Sequence, residues 1–330
     1  MNDVAVSFEG VGPDLLDAYA ASGMARGQAG EAAIRWAFDT NPKAFAVARE
    51  NGKIVGLSAN LLLRMKIGAI DGPGIQAVDS FVASDMRGRG VFGRLARAYD
   101  EYAAEMGAHL VWGFPNDNAA PAWFGKLGWH RHGQVPFLMK PLRAGYFLRK
   151  AGLALDFPLS TTRDQNLAPE AGIGNWADDL WAEAAPQIGC TTIRDRAYLT
   201  HRLFEAPHAA AYRVVADTTC GTAAMVATRE AEKHGGRIAY LMEALGGASL
   251  SELLASEMGR LKARGTEVVL AWAFPWSPNY RTLRKAGFFP LPRRLRPINI
   301  WFGTRPKSPQ AVPANAPRQW YLSYLDSDTI

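Results

Sequence analysis

Cysteine is scarce in this sequence: Cys190 and Cys220 are the only two, too few for a disulfide framework and without metal-ligand spacing. That excludes a disulfide scaffold and points to a reducing compartment. No run of about 18 apolar residues occurs, and no charged-then-apolar stretch opens the chain, so neither a membrane span nor an export signal is expected. A Gly-x-x-x-x-Gly-Lys-Ser/Thr phosphate loop is also missing, and the turn Gly88-Arg-Gly90 lacks the third glycine of a dinucleotide site. Charge of one sign is not in large excess. Its 37 basic and 31 acidic residues leave a net +6, which suits an anionic ligand or surface and is too modest for nucleic acid. What is present, 48% hydrophobic and 21% charged residues over 330 positions, describes a soluble globular protein with room for two domains.

The stretch that organises the chain is Gln76–Leu95. Ala77–Val82 is a short apolar run that reads as a strand. The chain then turns through Arg87-Gly-Arg-Gly90. From Val91 the pattern becomes helical, with Val91, Leu95, Ala98, Tyr102 and Met106 on one face and Gly107 past its end. A glycine turn feeding a helix leaves backbone N–H groups unpaired at the positive end of the helix dipole, which favours a phosphate or pyrophosphate. Gly88 and Gly90 allow close backbone approach, and Arg87, Arg89 and Arg94 add charge that pairs with phosphate oxygens.

Elsewhere in the first half, Pro13–Ser22 and Glu31–Phe38 read as helices. Phe45–Glu50 and Lys53–Leu63 read as strands joined by the hairpin turn Asn51-Gly52. Asp71-Gly-Pro-Gly74 reads as the turn into the organising strand. Arg87-Gly-Arg-Gly90-Val-Phe92 resembles the Arg-x-x-Gly-x-(Gly/Ala) coenzyme A loop of the GNAT superfamily of N-acetyltransferases. His109–Pro115 and Asn116–Trp129, ending Lys126-Leu-Gly-Trp, resemble that family's next strand and helix. Phe92 departs from the pattern: either it crowds the loop or the contact shifts to Gly93. The resemblance implies an α+β (mixed α/β) fold with a mostly antiparallel sheet flanked by helices, ending near Pro141.

The second half repeats the first. Val111-Trp-Gly-Phe-Pro115 returns as Ala271-Trp-Ala-Phe-Pro275, and Lys126-Leu-Gly-Trp129 as Lys285-Ala-Gly-Phe288. The helix ending at Gly107 has a counterpart in Leu250–Ala263. A repeat this long, occurring twice, implies two tandem GNAT-like domains: residues 1–141 binding acyl-CoA, a join over 142–189, a second copy over 190–304, and a proline-punctuated tail over 305–330 whose aromatics dock on the body. Copy two has Gly246-Gly-Ala-Ser249 where copy one has its arginines, and Ser249 with Glu252 reads as a capping box. That copy is therefore expected to be degenerate and inert toward coenzyme A.

For the chemistry, an amine attacking a thioester must be neutral, the carbonyl must be polarised, and the leaving thiolate should gain a proton. The resemblance implies a bulged strand whose backbone N–H near Phe81 or Val82 holds the thioester carbonyl. Asp79, the only carboxylate in that strand, is the candidate base. The family often has a tyrosine acid where Phe124 stands. Either solvent protonates the thiolate or another residue has taken over, with His130 and His132 on the following strand as candidates. Those histidines lack a third partner as metal ligands, so no metal is expected. Asn118 contacts coenzyme A or, by the blander reading, caps a helix. The implied cosubstrate is acetyl-CoA or a longer acyl-CoA. It transfers its acyl group to an amine by direct attack in a ternary complex. The acceptor is a small molecule or a lipid-like amine, as for bacterial enzymes resembling ceramide synthases. A small metabolite or amino sugar as acceptor, or a non-catalytic acyl-CoA-binding protein, is the alternative. Val135–Phe157 alternates bulky apolar residues with Lys140, Arg143, Arg149 and Lys150. It reads as a final strand and inter-domain helix with a solvated basic face, or as a basic amphipathic segment that touches the cytoplasmic face of a membrane or lines a channel for an acyl chain.

Overall fold

The computed structural model describes residues 4–162, 165–219, 221, 223–233, 235–296 and 298–327; Cys220 and Asp328 lie outside them. The chain divides into two compact units. The first runs to Gln134 and includes Asn299–Gln319; the second is Val135–Ile298 with the chain from Trp320 onward.

Along the chain the first unit contains β1 (Ala5–Glu9), α1 (Pro13–Ala21), α2 (Ala25–Gln28), α3 (Glu31–Phe38), β2 (Phe45–Glu50), β3 (Lys53–Ile67), β4 (Ile70–Val82), α4 (Val91–Glu105), β5 (Leu110–Gly113) and β6 (His130–Gln134). The second contains β7 (Phe137–Pro141), α5 (Gly145–Lys150), α6 (Trp176–Ala184), β8 (Cys190–Thr192), α7 (Arg196–Leu203), β9 (Tyr212–Asp217), β10 (Ala224–Lys233), β11 (Gly236–Gly246), α8 (Leu250–Ala263), β12 (Val268–Trp272), α9 (Tyr280–Lys285) and β13 (Phe289–Pro290). The last strand, β14 (Trp301–Pro306), returns to the first unit.

The first unit's sheet has the order β1-β2-β3-β4-β5-β14-β6, antiparallel except for the β4–β5 pair. β2 is apolar without alternation because both its faces are covered. Phe45 and Val47 pack with Leu15, Ile34 and Phe38 of α1 and α3, while Ala46 and Ala48 pack with Leu95 and Ala98 of α4. Asn51 and Gly52 both have positive φ, as their hairpin demands. Asp71–Gly74 is not a turn: β3 and β4 form one long hairpin closed at Gly68, with Asp71–Gly74 inside β4. The helix expected over Asn116–Trp129 shrinks to a π-helical turn, Pro121–Lys126.

The second unit's sheet has the order β13-β7-β12-β11-β10-β9. Leu241, Val269 and Ala271 pack on Leu254, Met258 and Leu261 of α8. The repeat is visible in the paired elements: α8 follows β11 as α4 follows β4, and β12 pairs parallel with β11 as β5 does with β4. The expected boundary at Pro141 differs from the contacts, which put β7 in the second unit's sheet and β14 in the first. The aromatics of the tail are buried in the second unit, with Trp320, Tyr321 and Tyr324 nearly inaccessible.

Candidate active site

Asp79 sits in a bulge. β3 and β4 pair Ser58 with Ser80 and Ala59 with Val78, so Asp79 is one residue too many for its partner strand. Its φ of +23° is a conformation a non-glycine adopts only where its neighbours hold it. Ser58 Oγ lies 2.5 Å from Ser80 Oγ and 2.9 Å from the hydroxyl of Tyr99 on α4, which also donates to Ala59 O. The Asp79 carboxylate is gripped from the other face of the sheet. Its Oδ2 accepts from Arg26 Nε at 2.9 Å and from the Tyr19 hydroxyl. Tyr19 is carried by α1 and Arg26 by α2, and these helices touch closely because Gly27 leaves no room for a Cβ, which would sit 2.5 Å from Tyr19 O. The Arg26 guanidinium lies 5.1 Å above the Phe38 ring.

Past the bulge the sheet opens. β4 and β5 pair only over Gly74–Ala77 and Leu110–Gly113. Along Val78–Val82, including the partly buried Phe81 and Val82, no β5 residue is paired on that edge. The open edge leads into the loop. Gly88 and Gly90 have φ of +79° and +78°, and α4 starts at Val91 with no side chain capping it. Its first N–H groups therefore lack an intrahelical partner. Arg87 and Arg89 are exposed there, with Arg89 Nη1 3.9 Å from Glu50 Oε1. Arg94 turns back to donate to Val4 O at 2.8 Å. Phe92 does not crowd the loop: its ring meets Trp123 edge-on at 5.3 Å, and Gly93 follows it on the first turn. Val91 is buried under the helix.

Other expected residues lie elsewhere. Asn118 is exposed and caps no helix; the turn ahead of Pro121 is held by Asn116, whose Oδ1 accepts from Asn118 N at 3.1 Å and Ala119 N at 3.0 Å. The edge of the Phe124 ring lies against Gly303 of β14, so close that a Cβ there would stand 2.5 Å from Cε1. His130 and His132 are on β6, separated from β4 by β5 and β14. At ~4.8 Å per strand that is about 14 Å from the bulged strand, so the structure does not bring them to Asp79. His132 Nε2 pairs with Thr304 Oγ1 at 2.8 Å and its ring stacks on Phe302 at 4.7 Å. Burial, helped by the neighbouring His130, pushes its pKa down to about 3. It is a half-buried, neutral histidine, unfit to donate a proton near neutral pH. Tyr19 carries no signal in the sequence beyond its place in a short helix, and Arg26 lies on α2, which was not expected from the sequence.

The second unit has the same bulge with a different fate. Ala227 faces Glu243 and Thr228 faces Leu241, leaving Met242 as the extra residue. β11 and β12 separate after Leu241 and Ala271. Here the gap is filled, because the Tyr321 hydroxyl and Asn279 Nδ2 both donate to Ala244 O. Tyr321 also donates to the fully buried Glu243, which pairs with Arg194 at 2.8 Å. The expected capping box does not form: Ser249 gives its hydroxyl to Asp217 instead, which holds that carboxyl below its ordinary pKa.

A bulged strand that leaves its neighbour and runs through a glycine turn to an uncapped helix is the framework of the first unit's candidate site. Residues 17–131 match the model of the acetyltransferase (GNAT) domain. Its fold is similar to a GCN5-related N-acetyltransferase from Kribbella flavida (TM-score 0.62, 16% identity, 94% of this chain and 73% of that one). It is also similar to a probable N-acyltransferase from Enterococcus faecalis (0.62, 11%, 95% and 74%). A third likeness is to Saccharomyces cerevisiae N-myristoyltransferase with bound myristoyl-CoA (0.59, 10%, 92% and 83%). No curated protein matches the sequence.

Proposed function

We propose that the first unit binds acyl-CoA along the open edge of β4 and transfers its acyl group to an amine. The observation that carries this is the unpaired edge beyond Ala77, running from the Asp79 bulge to the uncapped start of α4. The pyrophosphate lies on the α4 N-terminus beside Gly88 and Gly90, with Arg87 and Arg89 over it. The thioester carbonyl accepts from backbone N–H near Phe81 or Val82. The amine nitrogen then attacks the carbonyl carbon, the C–S bond breaks, and Asp79 takes the amine proton. Both Arg26 and Tyr19 act on Oδ2, which leaves Oδ1 for that task. Solvent protonates the departing thiolate, since Phe124 has no hydroxyl and His132 is neutral. The second unit binds no coenzyme A, because Tyr321 fills its gap.

The donor carries an acetyl or longer acyl group, and the acceptor is a lipid-like amine met at the cytoplasmic face of a membrane. Support for that acceptor is the exposed apolar and basic chain after β7. Among the described residues no helix is long and apolar enough to cross a membrane. A second reading, an acyl-CoA-binding protein without turnover, is favoured by the pairing of Asp79 with Arg26. Incubation with acyl-CoA and a thiol reagent, with and without a mixed amine pool, separates the two. Free coenzyme A released only with amines means catalysis; release in neither tube means a binder.

A further inference from the structure

The second unit exposes a greasy, basic face. Residues 151–159 are all exposed, and Leu153, Leu155, Phe157 and Leu159 fall among them, with Leu155 60% exposed. Isolated exposed leucines are ordinary on protein surfaces, but these are gathered. Ala144 N donates to Phe157 O and Leu153 N to Leu148 O, so this segment runs back beside α5. Phe147 of α5 and Leu295, both exposed, rim a cavity of about 320 Å³ floored by Val268 and Leu270. Contiguous apolar surface of this kind marks an interaction site.

The balance of charge around it is basic, since the nearby acids are held by arginines. Lys150 and Arg296 line the same cavity, and Arg293 and Arg294 precede Leu295 on an exposed turn. The acid within the segment, Asp156, is neutralised by Arg143 at 2.6 Å and accepts from Gly145 N. Arg149 at the end of α5 pairs with Glu267. A second copy of this chain is a poor occupant, because a two-fold contact would set Lys150, Arg293 and Arg294 against their own images. An anionic lipid surface satisfies both halves of the patch: leucines and phenylalanines enter the acyl boundary while lysine and arginines meet the headgroups.

We infer that the face built from α5, residues 151–159 and Arg293–Leu295 docks on an anionic lipid bilayer. This deepens the reading of the acceptor given above and rests on it only for its purpose; the docking itself needs no catalysis. The test is co-sedimentation with vesicles of phosphatidylcholine, with and without phosphatidylglycerol. The protein should sediment with the mixed vesicles and not with the neutral ones, less at high salt. Leu155→Glu/Phe157→Glu should weaken binding at least about tenfold, and Lys150→Ala/Arg294→Ala about fivefold per charge removed. Neither pair should change the circular dichroism spectrum or turnover of a water-soluble amine, because all four side chains are exposed and belong to the second unit, not to the one that carries Asp79. Equal sedimentation with neutral vesicles, sedimentation with neither, or a dimer in solution that Leu155→Glu dissolves would overturn the inference.

Discussion

At the residue scale, Asp79 shows what a sequence displays and what it hides. As the only carboxylate in the apolar run Ala77–Val82 it stands out. The bulge beneath it does not, because one extra residue in a register leaves no local mark. Tyr19 and Arg26, which grip it, are 60 and 53 positions away. The proposed roles separate by measurement. Asp79→Asn should lower kcat by roughly 10²–10⁴, the share of a general base, with the greatest loss at low pH where less amine is already neutral. An unchanged kcat with reduced stability in urea would make Asp79 a structural anchor only. Tyr19→Phe removes a positioning contact and should cost kcat much less than Asp79→Asn. His132 makes a separate prediction. Its pKa is about 3 when folded against about 6.5 unfolded, so the unfolded state binds the extra proton. The stability it contributes is complete above pH 6.5 and falls by about 1.4 kcal/mol per unit as pH drops toward 3. His132→Gln should flatten the wild-type decline in urea stability between pH 6 and pH 4; parallel curves would contradict the burial assigned to it.

At the scale of elements, periodicity and turn chemistry carried most of the fold. The helices Glu31–Phe38 and Leu250–Ala263 and the strand Phe45–Glu50 have the bounds their patterns imply. Illegible was which sheet a strand would enter. β7 follows β6 closely, yet β7 pairs with β12 and β13 while β14 lies between β5 and β6. Both strands are short and apolar, and nothing in such a run names its neighbour. Asp71–Gly74 misled for a related reason: glycine and proline usually end strands, but Gly74 stands where a Cβ would meet Met65 Sδ at 2.4 Å. Two variants test how elements position the sites. Gly27→Ala forces α2 away from α1 and should carry Arg26 off Asp79, lowering kcat while the fold survives. Arg194→Ala strands Glu243 and Asp326, both fully buried partners, without their cation. It should cost about 3–5 kcal/mol and make the chain end near Trp320 sensitive to protease. Unchanged protection would mean that the tail is held by its aromatics alone.

At the scale of the whole molecule, the two units share one arrangement of strands and helix and differ at the same place. Both keep the bulge and the parting of strands. In the first unit the parted edge stays open beside an uncapped helix, and in the second Tyr321 and Asn279 fill it. The loss of arginines from Gly246–Ser249 was legible in the sequence; the tail that fills the gap lies more than seventy residues further on and was not. Calorimetric titration with coenzyme A counts the binding sites of the two units. One site per chain is expected. In Arg87→Ala/Arg89→Ala that site should weaken at least about tenfold, since each charge-assisted contact contributes roughly 1.5–3 kcal/mol, while the melting temperature stays the same. Two sites per chain, or one site indifferent to both arginines, would contradict the account.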